Sequence, residues 1–115
     1  MLMESLDMVM PIADDESSVE KKLGDAFPGS ILVNSVLSYL KLKFPDFTGA
    51  VTIVVTIVDR AGDVIYTSSS VNDNGVVMLK PDVPVDGGAK LVLTLSGVAG
   101  IDTNIIGKAW CDVKI

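Results

Sequence analysis

Few of the 115 residues have the side chains that chemistry needs, and there is no histidine among them. That removes the commonest general base, the commonest metal-binding side chain and every histidine-dependent triad. Cys111 is the single cysteine, which excludes an internal disulfide framework and a cysteine-based zinc site. With no histidine to activate it, and on the small-residue side of the last β-like run, it is expected to be a buried, inert thiol. Ser68, Ser69 and Ser70 end another β-like run with no base in sequence reach, and they read as a polar edge. Asp14-Asp15-Glu16 offers the oxygen ligands that calcium takes, but it reads as a solvated acidic turn. Asn72-Asp73-Asn74-Gly75 begins like a calcium loop, lacks the distal glutamate and runs into a strand-like segment, so a turn is expected. Asp59 and Asp63 bracket one turn, where carboxylates cap backbone donors. Gly97 and Gly100 stand apart and Gly87-Gly88 reads as a turn, so no glycine-rich phosphate loop is present. No catalytic residue, metal or cofactor is expected.

Binding is the remaining chemistry. Trp110, Tyr39 and Tyr66 are the large amphipathic aromatics. Trp110 lies between Lys108 and Asp112, opposite a stripe of small residues, where it could meet a sugar ring or another protein chain, or simply cover the domain. The start of the chain is apolar and methionine-rich, with Met1, Leu2, Met3, Leu6, Met8 and Met10. Two readings stand side by side. It is an ordinary first strand, or it is an arm whose flexible thioethers contact a neighbouring subunit. Residues 1–25 carry a net charge of −5 and the other ninety −1, so acidity belongs to this first segment. Nucleic-acid binding is disfavoured, because phosphate contacts need a basic surface. MLMESLDMVMP lacks the basic region and long apolar core of a signal peptide, and apolar runs fall well short of the ~20 residues of a membrane helix.

The elements that must position these residues are β-strands. AVTIVVTIV, from Ala50 to Val58, alternates Val51, Ile53, Val55 and Ile57 against Thr52, Val54, Thr56 and Val58, as a central strand does. Val36 to Phe44 places Leu40, Leu42 and Phe44 on one side and Tyr39, Lys41 and Lys43 on the other. Ile31 to Val33, Asp63 to Ser70, Val76 to Leu79, Lys90 to Ser96 and Ile105 to Ile115 complete the set, joined by Asp59-Arg60-Ala61-Gly62 and Asn-Gly turns. Pro81 and Pro84 exclude a central strand from the Lys80–Gly88 crossover. Ser17 or Ser18 is expected to cap a short helical turn through Leu23. The chain is thus expected to be all-β, a single antiparallel β-sandwich of jelly-roll or immunoglobulin-like type with seven or eight strands. Residues 31–115 would form the sandwich and residues 1–30 an arm or first strand with its acidic segment.

The rhythm of VTIVVTIVDRAGDVIYTSS, a proline crossover, KLVLTLSGVAG and a short last strand resembles the small head-decoration or cementing proteins of tailed bacteriophages. The resemblance spans Val36 to Ile115 and brings no catalytic motif. It implies a virion structural protein, made in the host cytoplasm, that binds the outer capsid surface and bridges major capsid subunits. Its partners would be the capsid protein and copies of itself, as a dimer or trimer. Contacts would run through Met1 to Met10, with Tyr39, Tyr66 and Trp110 as anchors. The alternative is a carbohydrate-binding or adhesion module of a phage fibre or cell-surface appendage, with Trp110 or Tyr66 stacked on sugar.

Overall fold

In the computed structural model, residues 2–23, 35–48, 51–72 and 75–113 are described. Met1, the Ile31–Val33 segment and the centre of the Asn72–Gly75 turn lie outside them. The strands are β1 (Leu2–Ile12), β2 (Ser18–Lys22), β3 (Ser35–Lys43), β4 (Thr52–Val58), β5 (Val64–Thr67), β6 (Val71–Asn72), β7 (Val76–Leu79), β8 (Val83–Val85), β9 (Lys90–Leu95) and β10 (Thr103–Val113). They form two antiparallel five-stranded sheets. Sheet A runs β1-β10-β3, with β7 and β8 side by side along the far edge of β3. Sheet B runs β2-β9-β4, with β5 and β6 sharing the far edge of β4.

Each shared edge is one strand broken in two, so the sandwich has eight strand positions. The first pairs with the eighth, the second with the seventh, the third with the sixth and the fourth with the fifth. That is one long hairpin rolled up, the jelly-roll connectivity. An immunoglobulin sandwich would pair its first two strands within one sheet; here β1 and β2 lie in different sheets. The breaks have local causes. Between β7 and β8 stand Pro81 and Asp82, the latter at φ +51°, and Pro84 is tolerated because β8 is an edge. Between β5 and β6, Ser68 keeps the ladder satisfied: its N–H donates to the Val55 carbonyl at 2.8 Å and its Oγ accepts from the Val55 N–H at 2.9 Å. This is the structural role expected of the serine run.

The core lies between the sheets. Leu37, Leu40 and Leu42 of β3 and Ile105, Ala109 and Cys111 of β10 face Ile53, Val55 and Ile57 of β4 and Leu91, Leu93 and Leu95 of β9. The alternation of β4 is the expected one, and it is central in its sheet. At the Asp59–Gly62 turn, Asp59 Oδ1 accepts from the Asp63 N–H at 2.9 Å and Gly62 supplies φ +94°.

The first segment differs from the arm reading. β1 pairs with β10 along its whole length, from Leu2↔Val113 to Ile12↔Thr103. Met8 and Met10 are 2% and 1% exposed, inside this chain's own core. The physical reason is Gly107 across the strand pair: a Cβ there would meet Leu42 Cδ2 at 3.1 Å, Met8 Cε at 3.2 Å and Met10 Cε at 3.4 Å. The methionines occupy the room that the small-residue stripe leaves, a task suited to an unbranched, adaptable side chain. Met8 and Met10 are therefore core residues rather than contacts for a partner. The side chains of Leu2, Met3 and Leu6 lie outside the described residues. The helical turn expected after Ser17 is also corrected. Ser18–Lys22 is a strand with alternating exposure, held against β9, because pairing along a full sheet edge outweighs one capping signal.

Candidate interaction surface

The chemistry-bearing side chains fall on the outer face of sheet A. Strand register arranges them in rows across β1, β10, β3 and β7. One row reads Val9, Ile106, Lys43, Val76; the next Asp7, Lys108, Lys41, Met78; the third Ser5, Trp110, Tyr39. Among the described residues, seven large hydrophobic side chains are exposed, and five are in these rows: Val9 (50%), Ile106 (45%), Val76 (60%), Met78 (52%) and Tyr39 (40%). Scattered exposed hydrophobics need no explanation, whereas a set aligned on one face makes that face the candidate for contact.

Tyr39 and Trp110 are direct cross-strand partners, a juxtaposition not derivable from two residues 71 positions apart in the chain. A bulge makes it. β3 contributes one residue more than β10 between the Trp110–Tyr39 and Cys111–Leu37 pairs, so both Ser38 and Tyr39 turn away from the core. The freed Ser38 Oγ donates to Asp112 Oδ2 at 3.1 Å. Lys80 Nζ lies 5.8 Å from the Tyr39 ring centroid and Lys108 Nζ 5.6 Å from that of Trp110, within cation–π range. Beside them Ser38, Tyr39, Lys80, Asp82 and Asp112 line a depression of about 390 Å³. Asp7, Lys41, Lys43, Ile106, Gly107 and Lys108 line a second one of about 200 Å³.

Tyr66 does not join this surface. It is on β5 in sheet B, paired with Ile57 and packed partly against the core. Its partner Ile57 faces the core, so Tyr66 leans inward, while the register shift at Ile57/Val58 leaves Val64, opposite Val58, on the outer side. Tyr66, expected as a third surface anchor, is thus half-buried and on the other sheet from Tyr39 and Trp110.

Cys111 is buried and free, and burial first, then the neighbouring Asp112 charge, pushes its thiol up to about 12. A thiol so protonated is a poor nucleophile. In the Asp14–Glu16 turn, Glu16 Oε1 accepts from the Ala13 N–H at 2.9 Å, a backbone-capping role. Among the described residues, no three His, Cys, Asp or Glu side chains gather into a group that could hold a metal ion.

No protein-family model and no curated protein matches this sequence. Solved structures share its fold. The SPBc2 prophage-derived protein YomS is 13% identical with a TM-score of 0.58, over 96% of each chain. A subunit of Bacillus endospore appendages, described as disulfide-linked pili, is 11% identical with a TM-score of 0.56, over 99% of this chain and 88% of that one. The tomato aspermy virus structure is 12% identical with a TM-score of 0.52, over 99% of this chain and 78% of that one. The chain spans only 19% of the length of an arabinose-bound α-L-arabinofuranosidase, at 15% identity and a TM-score of 0.47. At these identities what is shared is the antiparallel β-sandwich, the architecture to which this chain belongs.

Proposed function

We propose that this chain is a non-enzymatic structural protein of a virion, a capsid decoration or cement protein that coats the outer surface of the head and bridges neighbouring subunits. The observation that carries the reading is the outer face of sheet A, with its aligned apolar, aromatic and lysine side chains on a sandwich without histidine. The phage-like strand rhythm supports it, as does the fold shared with a prophage-derived protein and with a plant virus. Major capsid protein and further copies of this chain are the partners, and the capsid exterior is the location.

The test is the composition of particles. Virions banded from cells that express the gene should hold the chain in stoichiometric amount, and heads assembled without it should release their genome at lower temperature. Its absence from banded particles, despite expression, would remove the reading. A second reading has its own observation: Tyr39 beside Ser38, Asp82 and Asp112 offers a sugar an aromatic platform with hydroxyl-bonding partners. Binding on a glycan array that Tyr39→Ala abolishes, with particle incorporation unchanged, would favour a carbohydrate-binding module.

A further inference from the structure

The outer face of sheet A has an excess of positive charge that the isolated chain offsets only in part, through Asp7 opposite Lys108. Lys41 and Lys108 are direct cross-strand partners on this face, and like charges placed opposite each other destabilise a sheet. Lys43 is two residues further along β3. Among the described residues the ion pairs are Arg60–Asp86 at 3.5 Å and Lys90–Glu20 at 3.9 Å, and neither involves these lysines. The three lysines, Asp7 and Ile106 surround the depression of about 200 Å³, so it is apolar in part and its rim carries three positive charges against one negative. Two copies meeting face to face would set three lysines against three, with a single Asp7 on each side to offset them, which disfavours that arrangement. The fitting occupant is an acidic projection with an apolar tip.

The chain itself carries such a projection. Asp14, Asp15 and Glu16, in the β1–β2 turn, and Asp102, before β10, are all exposed. Val98, in the adjoining β9–β10 loop, is exposed as well. The two loops are fastened together. The Asp14 N–H donates to Asp102 Oδ1 at 2.9 Å, the Gly100 N–H to the Asp14 carbonyl at 2.7 Å and the Ala99 N–H to the Glu16 carbonyl at 2.9 Å. The acidic end is thereby held in one shape before any contact is made, which lowers the ordering cost of binding.

We propose that the lysine-bearing outer face of sheet A docks the acidic β1–β2 end of a second copy of this chain. The contact rests on the reading of that face as an assembly surface, and adds what occupies it. It is heterologous, using two different patches, so it closes into a ring where the rotation permits and otherwise propagates as a filament. The partner's carboxylates relieve the Lys41–Lys108 opposition, and an apolar side chain enters beside Ile106. Each copy carries a net charge of −6, so unoriented encounters are repulsive, and joining face to end sets opposite charges together.

Sedimentation velocity of the full chain tests this. The wild type should associate at low salt and dissociate at about 1 M salt, where the Debye length falls to ~3 Å. Lys41→Glu with Lys108→Glu, and separately Asp14→Lys with Asp15→Lys, should each weaken self-association by at least about tenfold. An equimolar mixture of the two variants should associate again, since each supplies the patch the other lacks; this recovery also shows that both are folded. A wild type that stays monomeric at low salt, variants that associate as the wild type does, or a mixture that fails to recover would each overturn the contact. Particle composition is read separately. Self-association without incorporation into virions removes the virion role alone, and incorporation of the doubly reversed variants at wild-type level removes this contact alone.

Discussion

The two outer faces of the sandwich differ, although the two inner faces are built alike. Inside, β3 and β10 offer Leu37, Leu40, Leu42, Ile105 and Ala109, and β4 and β9 answer with Ile53, Val55, Ile57, Leu91, Leu93 and Leu95. Outside, sheet B is covered by Thr52, Val54, Thr56, Val92 and Thr94, with the Glu20–Lys90 pair at 3.9 Å balancing charge. Sheet A presents Tyr39, Trp110, Met78, Ile106 and three lysines outside any ion pair among the described residues. Threonine and valine satisfy a pleated surface that faces water. Long cationic side chains lose more side-chain entropy when ordered, and aromatic ones gain most when a partner covers them. The contrast separates a face of threonine and valine from one of aromatic, apolar and lysine side chains, the face proposed to bind.

That contrast can be broken first from the inside. Met8→Ala should cost about 2–5 kcal/mol in denaturant unfolding, the penalty of a cavity beside Gly107. An unchanged midpoint would mean that β1 is not part of the core, and the equivalence of the inner faces would fall. Cys111 tests the same side by pH. Its folded-state thiol is raised from 9.0 to about 12, so between those values the native state holds a proton that the unfolded chain has released. Stability should therefore fall with rising pH across that window, by up to about 1.4 kcal/mol per unit. Cys111→Ala should flatten this part of the pH dependence, and the wild-type thiol should resist alkylation at pH 8 until the chain unfolds. Equal slopes in the two proteins would place the thiol near water.

The outer faces are compared directly by one substitution on each. Trp110→Ala should weaken assembly about tenfold, as loss of an aromatic anchor does. Thr56→Ala, on the outer face of sheet B, should leave assembly unchanged and shift stability by no more than about 0.5 kcal/mol. Equal losses of assembly would show that sheet A is not the distinct face. The smallest effect belongs to Glu20→Gln, which should change the unfolding free energy by less than about 1 kcal/mol, because its partner Lys90 is an exposed side chain in high-dielectric surroundings.

Much of the fold is legible in one dimension. The two-residue period of Val51–Val58, the Asp59–Gly62 turn, the outward Tyr39, Lys41 and Lys43 and the buried Cys111 follow from local pattern, because alternation and turn chemistry act over a few residues. Trp110 is recognisable as a surface candidate for the same reason. What the candidate surface needs beyond that is register. Tyr66 lies away from Tyr39 and Trp110 because β5 joins the other sheet, and no local signal announces that pairing. The methionine-rich start is ambiguous in one dimension, since methionine suits a core gap and a contact surface equally.

The sequence by itself determined that the chain is all-β, that its core is aliphatic and that no histidine-based chemistry is available to it. Local sterics and periodic burial are sufficient for those conclusions. Only the tertiary structure decided that the sandwich is a jelly roll, that Met8 and Met10 fill the space above Gly107, and that Lys41 meets Lys108 while Tyr39 meets Trp110. Each of these depends on which strands become neighbours and in what register. That choice is made by long-range pairing and the joint packing of two sheets, which no stretch of the chain specifies alone.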